Sequence, residues 1–356
     1  MSREPRPPDD DVTVKVTRKP SYGRPRDRAL FPAGGGMPPM IRLIALFVVM
    51  AVGVAGWFAM HEPAEEAGLM PPPRAEGTAV PGAAPVIAVR VAGEAEILSH
   101  KAEARTAFRF GPNQRILVLD FPTLLDQGLT LNRVAALVEK AGMPRNRVAS
   151  DAELDAAIAA AGDTMGTYYY GHDYAAADLA RFFALADRDQ VRLRPEEEWL
   201  RALLTQEGLL APDSMGSLIS VPRAGSSPLI DDALRATILR HELAHAEYFS
   251  NPRYTAYARR FWETGLDDAA RAAFRKYLAS QGYNSAAEDL MINEMQAYLV
   301  HTPDPRMFNA AALGVASETL HIWQDAFLSG MPTGWLRSAA LLVVRAAPGG
   351  VGAPGR

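Results

Sequence analysis

Apolar residues recur along this chain in two rhythms, and the change between them divides it. Short apolar runs that read as strands come at Val86–Val91, Arg115–Phe121 and Ser217–Pro222. Elsewhere the period is helical. Thr130 is placed to cap a segment ending near Gly142, and Ser150 with Glu153 forms a capping box over 151–161. Asp173 precedes a helix to about Ala186, and Pro195 followed by three glutamates opens another that ends near Gly208. Ser227-Pro228 reads as the cap and first-turn proline of a further helix, with Asp231 and Asp232 at its positive end. Along it Leu234, Ile238, His241, His245 and Tyr248 or Phe249 recur at spacings of three and four, so this stripe faces inward. Asn251–Gly282 reads as a helical pair, and Asn284-Ser285 as the cap of a helix from about Ala286 to His301. The pattern predicts an α+β fold, predominantly α with a small sheet, over residues 86–345.

The inward stripe carries the chemistry. His241-Glu242-Leu243-Ala244-His245 sets two imidazoles at i and i+4, where both reach one metal ion. Glu242, one residue from the first histidine, is close enough to take a proton from a water activated there. The plainer reading is a pair of core histidines satisfied by hydrogen bonds, but it leaves Glu242 without a reason.

A catalytic zinc needs a third protein ligand and an open position. On the helix to His301 the inward positions are Ala287, Leu290, Met291, Glu294, Ala297 or Tyr298, and His301. Glu294 falls in the middle of this apolar face, where an unpaired carboxylate is costly and a metal removes the cost. Glu288 and Asp289 are weaker candidates, because acidic residues in a first turn complement the dipole. His301, two turns beyond Glu294, is a candidate to stabilise an oxyanion, and a helix C-terminus would favour its protonated form. Tyr298, one turn from Glu294, is its rival for that role. Tyr168-Tyr169-Tyr170-Gly171-His172 is either a cleft lining or a loop packed on the core, and His172 is a reserve ligand. Glu247 lies away from His241 and reads as solvated or paired with an arginine.

These residues resemble the gluzincin group of zinc peptidases, which carry HExxH on one helix and a Glu on a second, often within an Asn-Glu pair. The matching residues are His241, Glu242, His245 and Asn293-Glu294, within about 75 residues of the chain. The resemblance implies a zincin-like catalytic domain, with zinc bound by His241, His245 and Glu294 and Glu242 as general base. Glu294 comes 49 residues after His245, whereas thermolysin-like members place theirs about 20 residues on; the helical pair at Asn251–Gly282 fills that spacer. A metzincin would place a third histidine at position 251, which is Asn. In zincins generally an edge strand near the metal pairs with extended substrate, and Ser217–Pro222 is either that strand or an ordinary surface hairpin.

The remaining sequence bears on where such chemistry happens. Leu43–His61 is a run of 19 residues without formal charge, long enough to cross a bilayer. Residues 1–42 hold nine Lys/Arg against five Asp/Glu, so the positive-inside rule puts the N-terminus in the cytoplasm and exports the rest. The expected organisation is a disordered cytoplasmic tail (1–40), a transmembrane signal-anchor (41–61), a proline-rich linker (62–85), the domain (86–345) and a disordered tail (346–356). A start at Met37 or Met40 would leave a signal-peptide-like region instead; an uncleaved anchor in the inner membrane is the favoured expectation. The chain has no cysteine, which excludes disulfides, lipid attachment at cysteine and thiolate zinc sites. The exported part has 28 basic and 36 acidic residues and no basic stripe, so nucleic acid is not an expected partner. The expectation is a zinc hydrolase acting on a peptide or protein of the cell envelope. A non-catalytic scaffold of the same shape, or hydrolysis of a non-peptide envelope amide, is the alternative.

Overall fold

The structure, a computed structural model, describes residues 86–346. The expected tail, membrane span and linker, at residues 1–85, lie outside them, as do residues 347–356. Among the described residues no helix is long and apolar enough to cross a membrane.

The fold is α+β, mostly helical, with one mixed five-stranded sheet. The strands are β1 (Val89–Ala92), β2 (Thr106–Phe110), β3 (Ile116–Phe121), β4 (His172–Ala175) and β5 (Ser217–Pro222), in the order β1-β2-β3-β5-β4. β1 runs parallel to β2 and β3 to β5, while β2/β3 and β5/β4 are antiparallel. Every residue of β3 and β5 is buried, as expected of central strands covered on both faces. Ser217–Pro222 is therefore not the edge strand expected above. It is paired on both sides, and the edges are β1 and β4, with β4 the one beside β5.

Strand alternation sorts the side chains into two layers. Leu117, Leu119 and Phe121 of β3 with Leu218 of β5 pack on α2 (Leu124–Val138), α4 (Ala176–Arg188) and α5 (Pro195–Gln206). Ile116 and Val118 with Ile219 and Val221 pack on Ile238, Leu239 and Leu243 of α6 (Asp232–Ser250). Two short helices, α1 (Glu94–Ser99) and α3 (Asp151–Ala160), flank this half. The other side of α6 meets a helical half. It consists of α7 (Pro252–Arg260), a π-helical turn at Phe261–Gly265, α8 (Asp268–Ser280), α9 (Glu288–His301), α10 (Ala310–Leu313), α11 (Ser317–Gly330) and α12 (Trp335–Ala346). The expected helical pair is α7 with α8. α6 is thus the shared wall of two cores.

Local chemistry explains where helices begin, and corrects three caps. Ser150 and Glu153 form the expected reciprocal box on α3. Thr130, however, is buried inside α2 and donates to the Asp126 carbonyl (2.7 Å); Thr123 is the cap, accepting from Asp126 N (3.1 Å). Asp231, not Ser227, caps α6 by accepting from Leu234 N (2.7 Å). Asn284 caps only its own turn, accepting from Ala286 N (3.2 Å), and α9 starts at Glu288 after an uncapped Ala287. For α2 and α6 the oxygen that caps lies one or two turns from the expected one, and α9 has no side-chain cap at all.

One buried ion pair clamps α6 to the sheet. Asp120 on β3 points to the α6 face and accepts from Arg235 Nη1 (3.0 Å) and Nη2 (2.9 Å). Arg235 also donates to the carbonyls of Pro222 and Ile97, and His100 Nδ1 bonds Asp120 Oδ2 at 2.7 Å. Asp120→Ala leaves a buried guanidinium without its counter-charge, so it is expected to lower the unfolding free energy by about 3–5 kcal/mol in urea titration. Arg201→Ala, which frees only the exposed partner Asp187, should stay near wild type. Equal, small effects would mean that α6 is held by packing alone.

Candidate metal centre

The site forms where α6 crosses α9, against the free edge of the sheet. Every residue of α9 from Met291 to His301 is buried, so its polar side chains are enclosed on all sides. His241, His245 and Glu294 have 5%, 1% and 1% of their surface exposed. His241 Nε2 and His245 Nε2 face each other at 3.1 Å. Glu294 Oε2 lies 3.9 Å from the first and 3.7 Å from the second. Ligands held at ~2.0 Å on a tetrahedron are separated by ~3.3 Å, so the three atoms stand near the corners of a zinc-sized site.

Neighbouring bonds fix which ring nitrogens face inward. His241 Nδ1 is 2.8 Å from Thr302 Oγ1, and that hydroxyl spends its proton on the Ala297 carbonyl (2.9 Å). Thr302 must therefore accept from His241 Nδ1–H, which turns the lone pair of His241 Nε2 toward the cluster. His245 Nδ1 faces Asp173 Oδ2 at 3.9 Å, a carboxylate that favours a proton on that nitrogen. With the proton on His245 Nδ1, two lone pairs oppose each other at Nε2 and favour a cation between them; with it on Nε2, His245 donates to His241 across the same 3.1 Å. Three buried atoms here have no hydrogen-bond partner: His245 Nδ1, Glu294 Oε2 and Glu242 Oε2. Orphaned buried polar atoms are costly; a metal with its bound water would answer the two carboxylate oxygens, while His245 Nδ1 lies on the far side of its ring, toward Asp173.

Asp173 enters through strand alternation. On β4, His172 and Tyr174 turn to the α2 side, where His172 Nε2 bonds Asn132 Oδ1 (3.2 Å) and Nδ1 bonds Ser220 Oγ (2.9 Å). Asp173 between them turns toward α6, within reach of His245 and Glu242. Both ring nitrogens of His172 are thus occupied on the face of β4 away from the cluster, which removes it as a reserve ligand; burial holds its imidazole down at about 3. The loop before β4 is pulled onto α2 by Asn132 Nδ2 donating to Met165 O (2.8 Å) and Gln127 Nε2 to Tyr170 O (3.0 Å). That loop sets Gly171 against Glu242: a Cβ there would stand 2.1 Å from Glu242 Oε1. The tyrosine run packs on the core, and its glycine gives the Glu242 carboxylate its space.

Electrostatics follow from burial. Desolvation raises the carboxyls of Glu242 and Glu294 well above the usual range, and Asp173 adds repulsion to both. Desolvation and the neighbouring His245 keep His241 neutral, as a metal ligand must be. A dication among these carboxylates would reverse the repulsion and restore their charged forms.

Of the two expected oxyanion stabilisers, Tyr298 is at the site. Its ring meets His241 edge-on at 4.7 Å between centroids, and its hydroxyl bonds Tyr277. Tyr283, which no sequence pattern singles out, brings a second phenol within hydrogen-bonding reach of Glu294 and Tyr298. His301 turns elsewhere, to Tyr254 Oη (3.4 Å) and a wall shared with Arg240, Leu243 and Trp335. Burial pushes His301 down to about 3, so it is neutral; desolvation outweighs the helix-end dipole that favours the protonated form. Glu247 is buried too, and it accepts from Asn113 (2.7 Å), Asn251 (2.7 Å) and Trp335 (3.1 Å) instead of an arginine. Glu288 bonds Trp262 and Arg275, and Asp289 bonds Tyr248 and Arg259; neither joins the cluster.

Comparison of the chain with protein-family models, with curated proteins and with solved structures found no match.

The Thr302 relay gives a direct test. Thr302→Val keeps the shape and removes the acceptor for His241, and should weaken zinc binding by about 10–100-fold, while Thr302→Ser stays near wild type. Glu294→Ala should lose far more affinity than Glu288→Ala. Competition with a chelating dye reads all four. Wild-type affinity in the valine variant would show that Thr302 does not set the tautomer.

Proposed function

We propose that this chain is a zinc-dependent hydrolase of peptide bonds, with His241, His245 and Glu294 holding the metal. The observation that carries this reading is the convergence of two buried imidazole Nε2 atoms, 3.1 Å apart, with the partnerless Glu294 Oε2 and a partnerless Glu242 Oε2 beside them. A zinc ion held by that donor set supplies Lewis acidity, lowering the pKa of a water and polarising a carbonyl. The protein's own groups supply the rest. Glu242 accepts the proton of the attacking water as the carbon–oxygen bond forms, then gives it to the amide nitrogen as the carbon–nitrogen bond breaks. Gly171 leaves the space in which the Glu242 carboxylate sits. Thr302 and Asp173 hold the two imidazoles in the orientation that turns Nε2 inward. The phenols of Tyr298 and Tyr283 beside the cluster would be the donors for the developing oxyanion once turned from their present partners Tyr277 and Glu294. This arrangement is what supports the gluzincin-like reading of HELAH and Asn293-Glu294.

The location belongs to the same proposal and rests on sequence alone: the uncharged run Leu43–His61 after a basic flank supports a membrane anchor with the catalytic part exported. A reporter fused after Arg356 is expected to be active only on the exported side, and a cytoplasmic signal would overturn the envelope substrate class.

Glu242→Gln keeps the volume and removes the base. Zinc content should survive while turnover of a denatured-protein digest, followed by mass spectrometry, falls at least ~100-fold. Gly171→Ala should likewise keep zinc and lose turnover, because the new methyl displaces Glu242. Undiminished turnover in Glu242→Gln would remove the base from the mechanism. Full rescue by it of the envelope phenotype of a strain lacking this chain would favour a scaffold instead.

A further inference from the structure

A cavity of ≈ 260 Å³ opens beside the metal cluster, with Glu139, Arg145, Asp173, Asp178 and Asn293 in its wall. Three carboxylates reach it from three separate elements: Glu139 from the C-terminal end of α2, Asp173 from β4 and Asp178 from the first turn of α4. Arg145 stands among them, but its guanidinium donates to the carbonyls of Leu137 (2.7 Å) and Lys140 (2.8 Å) and to no carboxylate. Asp289, also on this wall, is already bonded by Tyr248 and Arg259. Negative charge is in excess here.

Two side chains point to a ligand independently of that excess. Glu139 is 8% exposed, lies at the helix end where carbonyl dipoles already concentrate negative charge, and makes no hydrogen bond and no ion pair within 4.0 Å among the described residues, although Lys140 and Arg145 attract it from farther away. Burial first, and Asp173 second, drive its carboxyl well above the usual range. Asn293 is 3% exposed; its Oδ1 accepts from Gln296 (3.2 Å), while its Nδ2 has no partner among the described residues. A carboxylate and an amide donor that line the same cavity, each on a largely buried residue and with no direct protein partner, are free to meet a ligand there. The carboxylates stand too far apart for one metal ion. Among the described residues, Glu139 and Asp178 join no group whose ligand atoms lie within 4.8 Å of one another. A broader cation suits the spacing and the volume.

Resting on the peptidase reading, we propose that this cleft binds a cationic group of the peptide substrate, a free α-amine or the side chain of lysine or arginine, between Glu139, Asp173 and Asp178. The Asn293 amide donates to a backbone carbonyl of the same peptide. Substrates are then peptides with positive charge next to the scissile bond.

Binding can be read without turnover in the full zinc-loaded chain carrying Glu242→Gln, by calorimetry. Three peptides serve as probes: acetylated Ala-Ala-Lys-Ala-Ala, its norleucine counterpart, and that counterpart with a free N-terminus. At least one cationic peptide should bind about tenfold more tightly than the acetylated norleucine peptide. A lysine effect identifies the side chain as the cation, and a free-amine effect the terminus. Adding Glu139→Gln, or Asp178→Asn should the first variant fail to hold zinc, should bring the ratio to within about twofold. Equal affinity for all three peptides, no binding of any, or a ratio unchanged by these substitutions overturns the proposal. Failure of the peptidase reading shows separately, as absence of turnover of any of the peptides by the wild-type chain.

Discussion

Two imidazoles and a carboxylate enclosed at a helix crossing, with their free valences aimed at one point, set a condition the rest of the structure has to meet. His241, His245 and Glu294 are each at least nine-tenths buried, and the Nε2 atoms meet at 3.1 Å. Left to themselves, these groups repel or lack partners, and each would destabilise the crossing of α6 and α9 by an amount that packing must offset. A cation converts the same geometry into a favourable one. The surrounding contacts make sense as the supports of that arrangement: Thr302 behind His241, Asp173 behind His245, Tyr283 against Glu294.

Keeping this point fixed requires α6 to be immobile against two different neighbours. On one side Arg235 and Asp120 tie it to the central strand β3, and Ile238, Leu239 and Leu243 fill the space over β3 and β5. On the other side Ala244 and Tyr248 enter the helical core with α9. The sheet half thus delivers Asp173 and Gly171, and the helical half delivers Glu294, Tyr298 and Thr302. The cluster of His241, His245 and Glu294 exists only where the two halves share α6. The spacer between the histidines and Glu294 is explained by the same arrangement, because α7, the π-helical turn and α8 build the core on which α9 lies.

What could be read from sequence was what one helix or one spacing encodes. HELAH declared itself by i,i+4 geometry, and Glu294 by the cost of a charge on an apolar stripe. Asp173 could not be found that way. As a residue ahead of a helical run it looked like a cap, and only the alternation of a four-residue strand turns it toward His245. Thr302 and Tyr283 lie beyond helix ends, where side-chain direction depends on tertiary contacts. Ser217–Pro222 was legible as a strand but not as a central one, since order in a sheet is a long-range property. His301 sat on the right face by periodicity, yet α9 is enclosed all round, so periodicity could not say which neighbour it would meet.

X-ray absorption at the zinc edge on the full-length chain tests the central claim most directly. The expected result is one zinc per chain with two imidazole nitrogens and carboxylate or water oxygen at ~2.0–2.1 Å, and loss of one imidazole from the spectrum in His245→Ala. A chain that takes up no zinc, or a zinc spectrum without imidazole that His245→Ala leaves unchanged, would contradict it.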